Sequence, residues 1–403
     1  MPFAERSLMD SRSVFVADWL RGEASMASLC ARHGISRKTG YATIGRYEAG
    51  GLAALAPRSR ARLTQPERIA ASVSEALLRL RDEHPTWGPR KLLARLRREQ
   101  PGVGWPAAST IGDLLAREGR VQPRQRRGSG DAGSAIELIK ANSPNESWSA
   151  DFKGWFRTGD GVRCEPLTVT DGFSRYLLAC EPVPQVTFKA VRPLIEGLFR
   201  DYGLPGALRT DNGSPFGRQD GLGGLTQFSV WLLTLNVFPD FIKPGRPEMN
   251  GRHERMHRVL REDTASPPAA SLLEQQARLA AWRRTYNDER PHEALGQRCP
   301  AALYRPSARA YPLSVKAWDY PADHQVFPVI GDGYIKWREA RLYLSGALRG
   351  HKVALARRDD GDWAVRFRGF DLAVVSDKTG TMVPHRLRRT PPLADEVESL
   401  AGA

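Results

Sequence analysis

The feature that most constrains this chain of 403 residues is a change in the period of its apolar side chains. Up to about residue 120 they recur at helical spacing, and from about residue 145 they alternate as they do in strands. A chain of this length is expected to fold into two to four domains. The sequence therefore predicts an all-α amino-terminal part, followed by an α/β part and a β part.

Residues 1–60 carry the pattern of a helix-turn-helix domain. Gly34 stands where a tight turn requires a positive φ, and Ser36 can cap the helix that follows it. The second helix of such a motif reads DNA, so its exposed side supplies candidate contacts. These candidates are Arg37, Lys38, Thr39 and Arg46. A purely structural three-helix bundle fits the same pattern, and it stays the alternative.

The helical pattern recurs in residues 61–120 and predicts a second helix-turn-helix unit. Pro89 stands near the first turn of one helix, and Gly119 follows the last. A structural bundle is the alternative for this unit as well. Residues 121–140 are rich in Pro, Gly, Ser and Arg, and we expect a basic linker that could track phosphates.

Residues 141–305 combine strand and helix patterns. Three strand patterns, SWSADFKGWF, EPLTVTDGFS and RYLLACEPV, precede a helix, a fourth strand in ALRTDN and further helices. This order predicts a ribonuclease-H-like α/β core in which the first and fourth strands pair in parallel. Residues 311–383 alternate again and predict a small β-barrel, and residues 384–403 are expected to form a disordered tail.

Three acidic side chains could hold metal ions at this core. Asp151 interrupts an otherwise apolar strand, where an unpartnered carboxylate is costly. Asp211 ends the fourth strand before an exposing Asn-Gly turn, and Glu254 lies on a later helix that can pack across the same sheet edge. Two Mg²⁺ ions held by such ligands would activate an attacking oxygen and stabilise a leaving one in phosphodiester chemistry. A solvated carboxylate is the alternative for each acid alone, and a structural role is favoured for Asp171, which starts a turn.

Side chains near Glu254 are candidate contacts for a polyanion. Arg258 and Arg261 follow Glu254 by four and seven positions on the same helix face and could hold substrate phosphates. Asn250, one turn earlier, is a further candidate, with a role at the helix start as the alternative. The 60 Lys and Arg against 45 Asp and Glu, a formal charge of +15, fit nucleic acid as the partner.

Residues 253–257, His-Glu-Arg-Met-His, also match the H-E-x-x-H helix of zinc metalloproteases. That alternative makes His253 and His257 zinc ligands and Glu254 a general base. The arginines around the motif repel Zn²⁺ and favour phosphate, and no third ligand stands at a familiar spacing. The four cysteines form no C-x-x-C pair, so neither a zinc finger nor a disulfide framework is indicated. A zinc protease is therefore the minor alternative.

The motifs of residues 145–300 resemble the retroviral-integrase-type core of bacterial insertion-sequence transposases of the DDE class. They are WSADF, LTVTDGFSRY, RTDNGSPF, PEMNGRHERMHRVLRED and YNDERPHEALG. The tandem helix-turn-helix units and the carboxy-terminal barrel match the layout of the insertion-sequence family four-eighty-one branch. The resemblance implies that Asp151, Asp211 and Glu254 are the catalytic metal ligands. It implies two Mg²⁺ ions per active site, which Mn²⁺ could replace.

The resemblance implies a transposase that binds the terminal inverted repeats of an insertion sequence and catalyses metal-dependent DNA cleavage and strand transfer. Its partners would be transposon ends and target DNA, and synapsis of two ends implies at least a homodimer. A sequence-specific DNA-binding regulator derived from a transposase is the alternative from another class. The lack of a signal sequence or of an apolar run of about 18 residues favours a cytoplasmic, nucleoid-associated protein.

Overall fold

The computed structural model describes residues 8–57, 69–121, 141–217, 222–242 and 251–389. The chain divides into two compact units, Met1–Ile69 and Ala70–Ala403. None of the helices in these described ranges is long and apolar enough to cross a membrane.

The first unit is a bundle of three helices. They are α1 (Leu8–Leu20), α2 (Met26–Arg32) and α3 (Arg37–Gly50), and a 3-10 turn follows at Leu52–Leu55. Gly34 has a φ of 65°, and the Ser36 hydroxyl accepts a hydrogen bond from the Thr39 amide at 3.2 Å. Both the predicted turn and the predicted cap are therefore confirmed. The bundle closes around Phe15, Leu29, Ile44 and Leu55.

The second unit begins with three more helices, α4 (Ala71–Glu83), α5 (Pro89–Glu99) and α6 (Ala108–Arg117). These helices pack on the core that follows through the cationic side of α5. Lys91 Nζ donates to the Pro291 carbonyl at 3.0 Å, and Arg90 forms a 2.6 Å ion pair with Glu293. The second helical domain and the core thus belong to one compact unit.

The core is built on one mixed sheet. Its strands are β1 (Ser147–Phe152), β4 (Pro166–Asp171), β5 (Leu177–Pro182), β6 (Ala207–Thr210) and β7 (Phe238–Phe241), and a short hairpin, β2 (Phe156–Arg157) and β3 (Arg163–Cys164), stands beside it. The order is β5-β4-β1-β6-β7, with β1 antiparallel to β4 and parallel to β6. The predicted parallel pairing of the first and fourth strand patterns is confirmed, and the hairpin was not predicted.

Helices cover both faces of this sheet. They are α7 (Phe188–Tyr202), α8 (Gln227–Thr234), α9 (Gly251–Thr264) and α10 (Leu272–Arg284). Leu167 and Val169 of β4 join the cluster formed with α7 and α8. The intervening Thr168 and Thr170 contact α9. The period of two in LTVTD therefore gives β4 one apolar and one hydroxyl-bearing face.

The carboxy-terminal region forms an antiparallel sheet. Its strands are β8 (Gln325–Pro328), β11 (Lys352–Arg357), β12 (Trp363–Phe367), β13 (Phe370–Val375) and β14 (Met382–Arg389), with a separate hairpin of β9 (Tyr334–Trp337) and β10 (Ala340–Tyr343). The order is β14-β13-β12-β11-β8, and no pairing within the described residues closes it. The barrel predicted for residues 311–383 is therefore not confirmed.

The strand β14 also corrects the tail predicted for residues 384–403. Residues 384–389 belong to β14, where Pro384 pairs with Ala373 and Arg389 with Phe370. The basic composition suggested disorder, but hydrogen bonds to the largely buried β13 stabilise this segment as a strand. Leu387 adds a buried side chain. Residues 390–403 lie outside the described residues.

Candidate active site

Asp151 and Asp211 lie at neighbouring positions of two parallel strands. The register pairs Ser147 with Ala207 and Ser149 with Arg209. Continued by two residues, it sets Asp151 level with Asp211, directly after β6. The structure therefore brings these two acids to one edge of the sheet, as the parallel pairing of the first and fourth strands predicts.

The environment of Asp211 favours a cationic ligand. Its Oδ1 accepts a hydrogen bond from the Gly213 amide at 3.2 Å. Desolvation raises the pKa of the Asp211 carboxyl above its usual 3.8, the Gly213 amide opposes this shift, and no cationic side chain of the described residues contributes to it. A desolvated carboxylate without a cationic partner is a group that a metal ion would stabilise.

The helix α9 carries Glu254 and lies against β4 through two histidines. His257 Nε2 is 2.7 Å from Thr168 Oγ1, and His253 Nε2 is 3.5 Å from Thr170 Oγ1. Glu254 itself is exposed, three positions before His257, so the two share one side of the helix. In the motif that suggested zinc binding, the Nε2 atoms of both histidines instead contact threonine hydroxyl groups of β4.

His257 also reaches Asp151. Its Nδ1 lies 3.8 Å from Asp151 Oδ2, and Thr168 Oγ1 lies 3.0 Å from the Asp151 carbonyl oxygen, to which it can donate. Burial lowers the pKa of His257 to about 4 and that of His253 to about 3, so both rings are neutral near pH 7. Sequence reasoning missed this contact. The available signal was two histidines four residues apart, facing a strand with threonine at alternate positions.

A three-ligand metal group is not formed in the described part of the chain. Among those residues no three His, Cys, Asp or Glu side chains converge closely enough to hold an ion. The structure thus brings Asp151 and Asp211 together without placing Glu254 beside them. The two aspartates offer hard oxygen donors, which fit Mg²⁺ or Mn²⁺ better than a soft-ligand metal.

Asp171 occupies a different environment from the two edge acids. Its side chain is buried, Oδ1 accepts from the Asn145 amide at 2.7 Å, and Oδ2 accepts from the Ser174 amide and hydroxyl at 2.7 and 2.6 Å. It is paired with Trp148, near the start of β1. The structural role favoured for this residue is confirmed.

The predicted DNA contacts of the core lie on α9 or just before it. Arg258 and Arg261 are both exposed. Arg261 lies near Lys153, whose pKa is lowered by burial first and by the charge of Arg261 second. Arg261 of α9 and Lys153 therefore place two positive charges near each other. Asn250 lies outside the described residues.

The four predicted contacts on α3 fall into two groups. Arg37 and Lys38 are exposed in the first turn of the helix. Thr39 is exposed but bonded to the cap, with its hydroxyl 2.9 Å from Ser36 Oγ. Arg46, expected on the exposed side, is half-buried and donates to the carbonyl groups of Ala54 and Ala56. Its guanidinium holds the turn after α3, which the helical period alone could not indicate.

Family models match most of the regions described above. An integrase core domain matches residues 141–247, and a second integrase core model matches residues 235–300. A helix-turn-helix domain matches residues 15–62, and a homeodomain-like domain matches residues 39–115. The core matches include both edge aspartates and Glu254.

Two bacterial insertion-element proteins are similar in sequence. The "Insertion element IS476 uncharacterized 39.2 kDa protein" of Xanthomonas euvesicatoria is 28% identical over 285 residues, which cover 70% of this chain and 79% of that protein. The "Insertion element IS407 uncharacterized 31.7 kDa protein" of Burkholderia multivorans is 28% identical over 251 residues, 61% of this chain and 86% of that protein.

Among solved structures, the simian T-cell lymphotropic virus intasome in complex with the PP2A regulatory subunit B56 gamma is similar over 79% of this chain and 99% of that chain. The TM-score is 0.36 and the identity is 16%. The family assignment rests on the integrase core, the helix-turn-helix domains and the insertion-element relatives taken together. The chain is therefore an insertion-sequence transposase of the DDE class, a polynucleotidyl transferase with helix-turn-helix domains ahead of an integrase core.

Proposed function

We propose that this transposase binds the terminal inverted repeats of its element and that Asp151, Asp211 and Glu254 hold the divalent metal ions for strand cleavage and strand transfer. The observation that carries the proposal is the register of β1 and β6, which sets Asp151 level with Asp211 at one sheet edge. Two carboxylates at adjacent strand ends, one of them desolvated, form the start of a metal site.

Asp151 and Asp211 would bind the metal first, and Glu254 would complete the site. Glu254 is exposed on α9, and His257 of the same helix lies 3.8 Å from Asp151. When bound, two Mg²⁺ ions, replaceable by Mn²⁺, would activate the attacking oxygen and stabilise the leaving one. The side chains of this chain supply the oxygen ligands and hold the helix on the sheet.

The exposed cations would hold the DNA. Arg258 and Arg261 follow Glu254 along α9 and suit the phosphates of the strand at the active site. Asn250 is a further contact in this proposal. Arg37 and Lys38, exposed at the start of α3, suit base or phosphate contacts in the terminal repeat. Synapsis of two ends requires at least a dimer of this chain, assembled with target DNA.

The test uses the full chain with labelled element ends and Mg²⁺ or Mn²⁺. Wild type is expected to cleave the ends and join them to target DNA, while Asp151→Asn, Asp211→Asn and Glu254→Gln bind the ends and do neither. Asp201→Asn is the matched control, because Asp201 is an exposed acid on α7. Wild type that binds the ends but is as inert as the three variants would favour a DNA-binding regulator instead.

A further inference from the structure

His257 and Thr168 form a bridge between α9 and the strand that carries Asp151. The His257 ring lies between two groups, with Nε2 2.7 Å from Thr168 Oγ1 and Nδ1 3.8 Å from Asp151 Oδ2. Thr168 stands directly opposite Asp151 in the β1–β4 register and is fully buried. One ring nitrogen of His257 therefore faces the Asp151 carboxylate, and the other contacts the threonine opposite Asp151.

We propose that His257 is a positioning residue for Asp151: held by Thr168, its ring fixes the Asp151 carboxylate at the sheet edge before a metal ion binds. The inference rests on the proposed function, since it assigns Asp151 to the metal site. It gives the second histidine of the H-E-x-x-H motif a role that is neither zinc binding nor general packing.

The direction of the Thr168 O–H bond is coupled to the tautomer of the His257 ring. It has one hydrogen, which it can give to the Asp151 carbonyl oxygen at 3.0 Å or to His257 Nε2. In the first case Nδ1 turns a lone pair toward the Asp151 carboxylate, and in the second it turns an N–H toward it. A carboxylate oxygen 3.8 Å away favours an N–H over a lone pair, so we assign the hydrogen to Nδ1.

His253 provides an internal comparison. It lies on the same buried side of α9, one turn earlier, with its ring centroid 5.5 Å from that of His257. Its Nε2 is 3.5 Å from Thr170 Oγ1, and Thr170 lies opposite Ser149 and not opposite an acid. His253 therefore shares the packing of His257 against β4 without its approach to Asp151.

Two amide substitutions of His257 distinguish the contacts made by its two ring nitrogens. In His257→Asn the amide nitrogen lies near the place of Nδ1 and can still donate toward Asp151. In His257→Gln the amide lies near the place of Nε2 and keeps only the contact with Thr168. His257→Leu removes both contacts at similar volume, and His253→Gln is the matched control on the same helix face.

The experiment titrates Mn²⁺ into the full-length variants and measures free Mn²⁺ by electron paramagnetic resonance. We expect His257→Leu and His257→Gln to weaken Mn²⁺ binding about tenfold or more, as does the loss of a residue that orients a metal ligand. Affinity close to wild type is expected for His257→Asn and His253→Gln. In cleavage assays the His257→Gln defect should shrink as Mn²⁺ is raised, whereas simple misfolding would lower the rate at every Mn²⁺ concentration.

The outcomes separate this inference from the proposed function. Wild-type Mn²⁺ affinity in both His257→Leu and His257→Gln overturns the role of His257 alone, and so does rescue by Gln but not by Asn. If wild-type protein has no Mn²⁺ site that is lost in Asp211→Asn, the proposed metal-binding function is wrong, and this inference fails with it. If His257→Leu fails to fold, the Asn and Gln pair decides the question.

Discussion

Aspartate side chains have different environments at the two ends of β1. Near its start, Asp171 of the neighbouring β4 is closed in and accepts three hydrogen bonds from Asn145 and Ser174. At its carboxyl end, Asp151 and Asp211 stand side by side, and desolvation raises the pKa of the Asp211 carboxyl. Asp171 is satisfied by hydrogen bonds within the chain, whereas burial disfavours the ionised form of Asp211.

This difference teaches how the fold separates structural from functional carboxylates. The hydrogen bonds to Asp171 stabilise the turn after β4, so the fold gains from that acid. The fold gains little from Asp211, whose ionised form is destabilised by its surroundings. A group whose ionised form the folded state destabilises is a candidate for function.

The strongest way to break the comparison is to neutralise the edge pair. Asp211→Asn should lower strand cleavage by about a thousandfold, since metal ions supply several kcal/mol of transition-state stabilisation. The free energy of unfolding should not fall, because the ionised carboxylate is the unfavourable form here. Single-turnover cleavage and urea unfolding without metal measure the two quantities. A large loss of stability would place Asp211 with Asp171.

The converse change is Asp171→Asn. The NH₂ group of asparagine would face N–H and O–H groups that now donate hydrogen bonds to the carboxylate. We therefore expect the unfolding free energy to fall by about 3 kcal/mol. Urea unfolding followed by fluorescence measures it, with Asp201→Asn as the control. Mn²⁺ affinity of the folded fraction should stay unchanged. Stability equal to wild type would contradict the structural role of Asp171.

A buried histidine with one unpartnered ring nitrogen sharpens the comparison. His292 Nε2 is buried and has no hydrogen-bond partner, and burial, followed by Lys91 and Arg290, lowers the pKa of His292 to about 3. The unfolded chain takes up a proton below about pH 6.5 and the folded chain does not until about pH 3. His292 therefore destabilises the fold as pH falls from 6.5 toward 3, by about 1 kcal/mol per pH unit.

The check is the slope of unfolding free energy against pH in wild type and in His292→Gln. Burial also lowers the pKa of His253, His257 and other histidines, so the wild-type slope contains several rings, and the difference between the two proteins isolates His292. Parallel slopes between pH 6.5 and 4 would show that His292 is accessible to solvent protons in the folded chain.

The smallest expected effect concerns α3, where functional and structural side chains again stand on one element. Alanine at Arg37 or Lys38 should weaken end binding about three- to tenfold and lower the salt slope of binding by about 1 where a phosphate contact is lost. Arg46→Ala should instead lower the melting temperature, because Arg46 holds the turn at Ala54 and Ala56. Fluorescence anisotropy across a salt series and thermal unfolding distinguish them. Equal binding losses in all three variants would remove the distinction.

Several elements of the fold were predictable because their signals are local. Gly34 and Ser36 define a turn and a cap within a few residues, and the strand patterns around Asp151 and Asp211 have a clear period. The barrel and the tail were not predictable in the same way. Whether β14 and β8 pair depends on sheet twist summed over five strands, and whether a basic segment forms a strand depends on the neighbour it meets.

The sequence alone determined the order of helices and strands and the placement of Asp151 and Asp211 at the ends of strands that pair in parallel. Only the tertiary structure decided that His257 faces Asp151, that Arg46 is tied to a turn and that Asp171 is closed in. The physical reason is one of range. Periodicity and capping act between residues a few positions apart, whereas the surroundings of a side chain are set by residues far along the chain, such as His257, which lies 106 positions after Asp151.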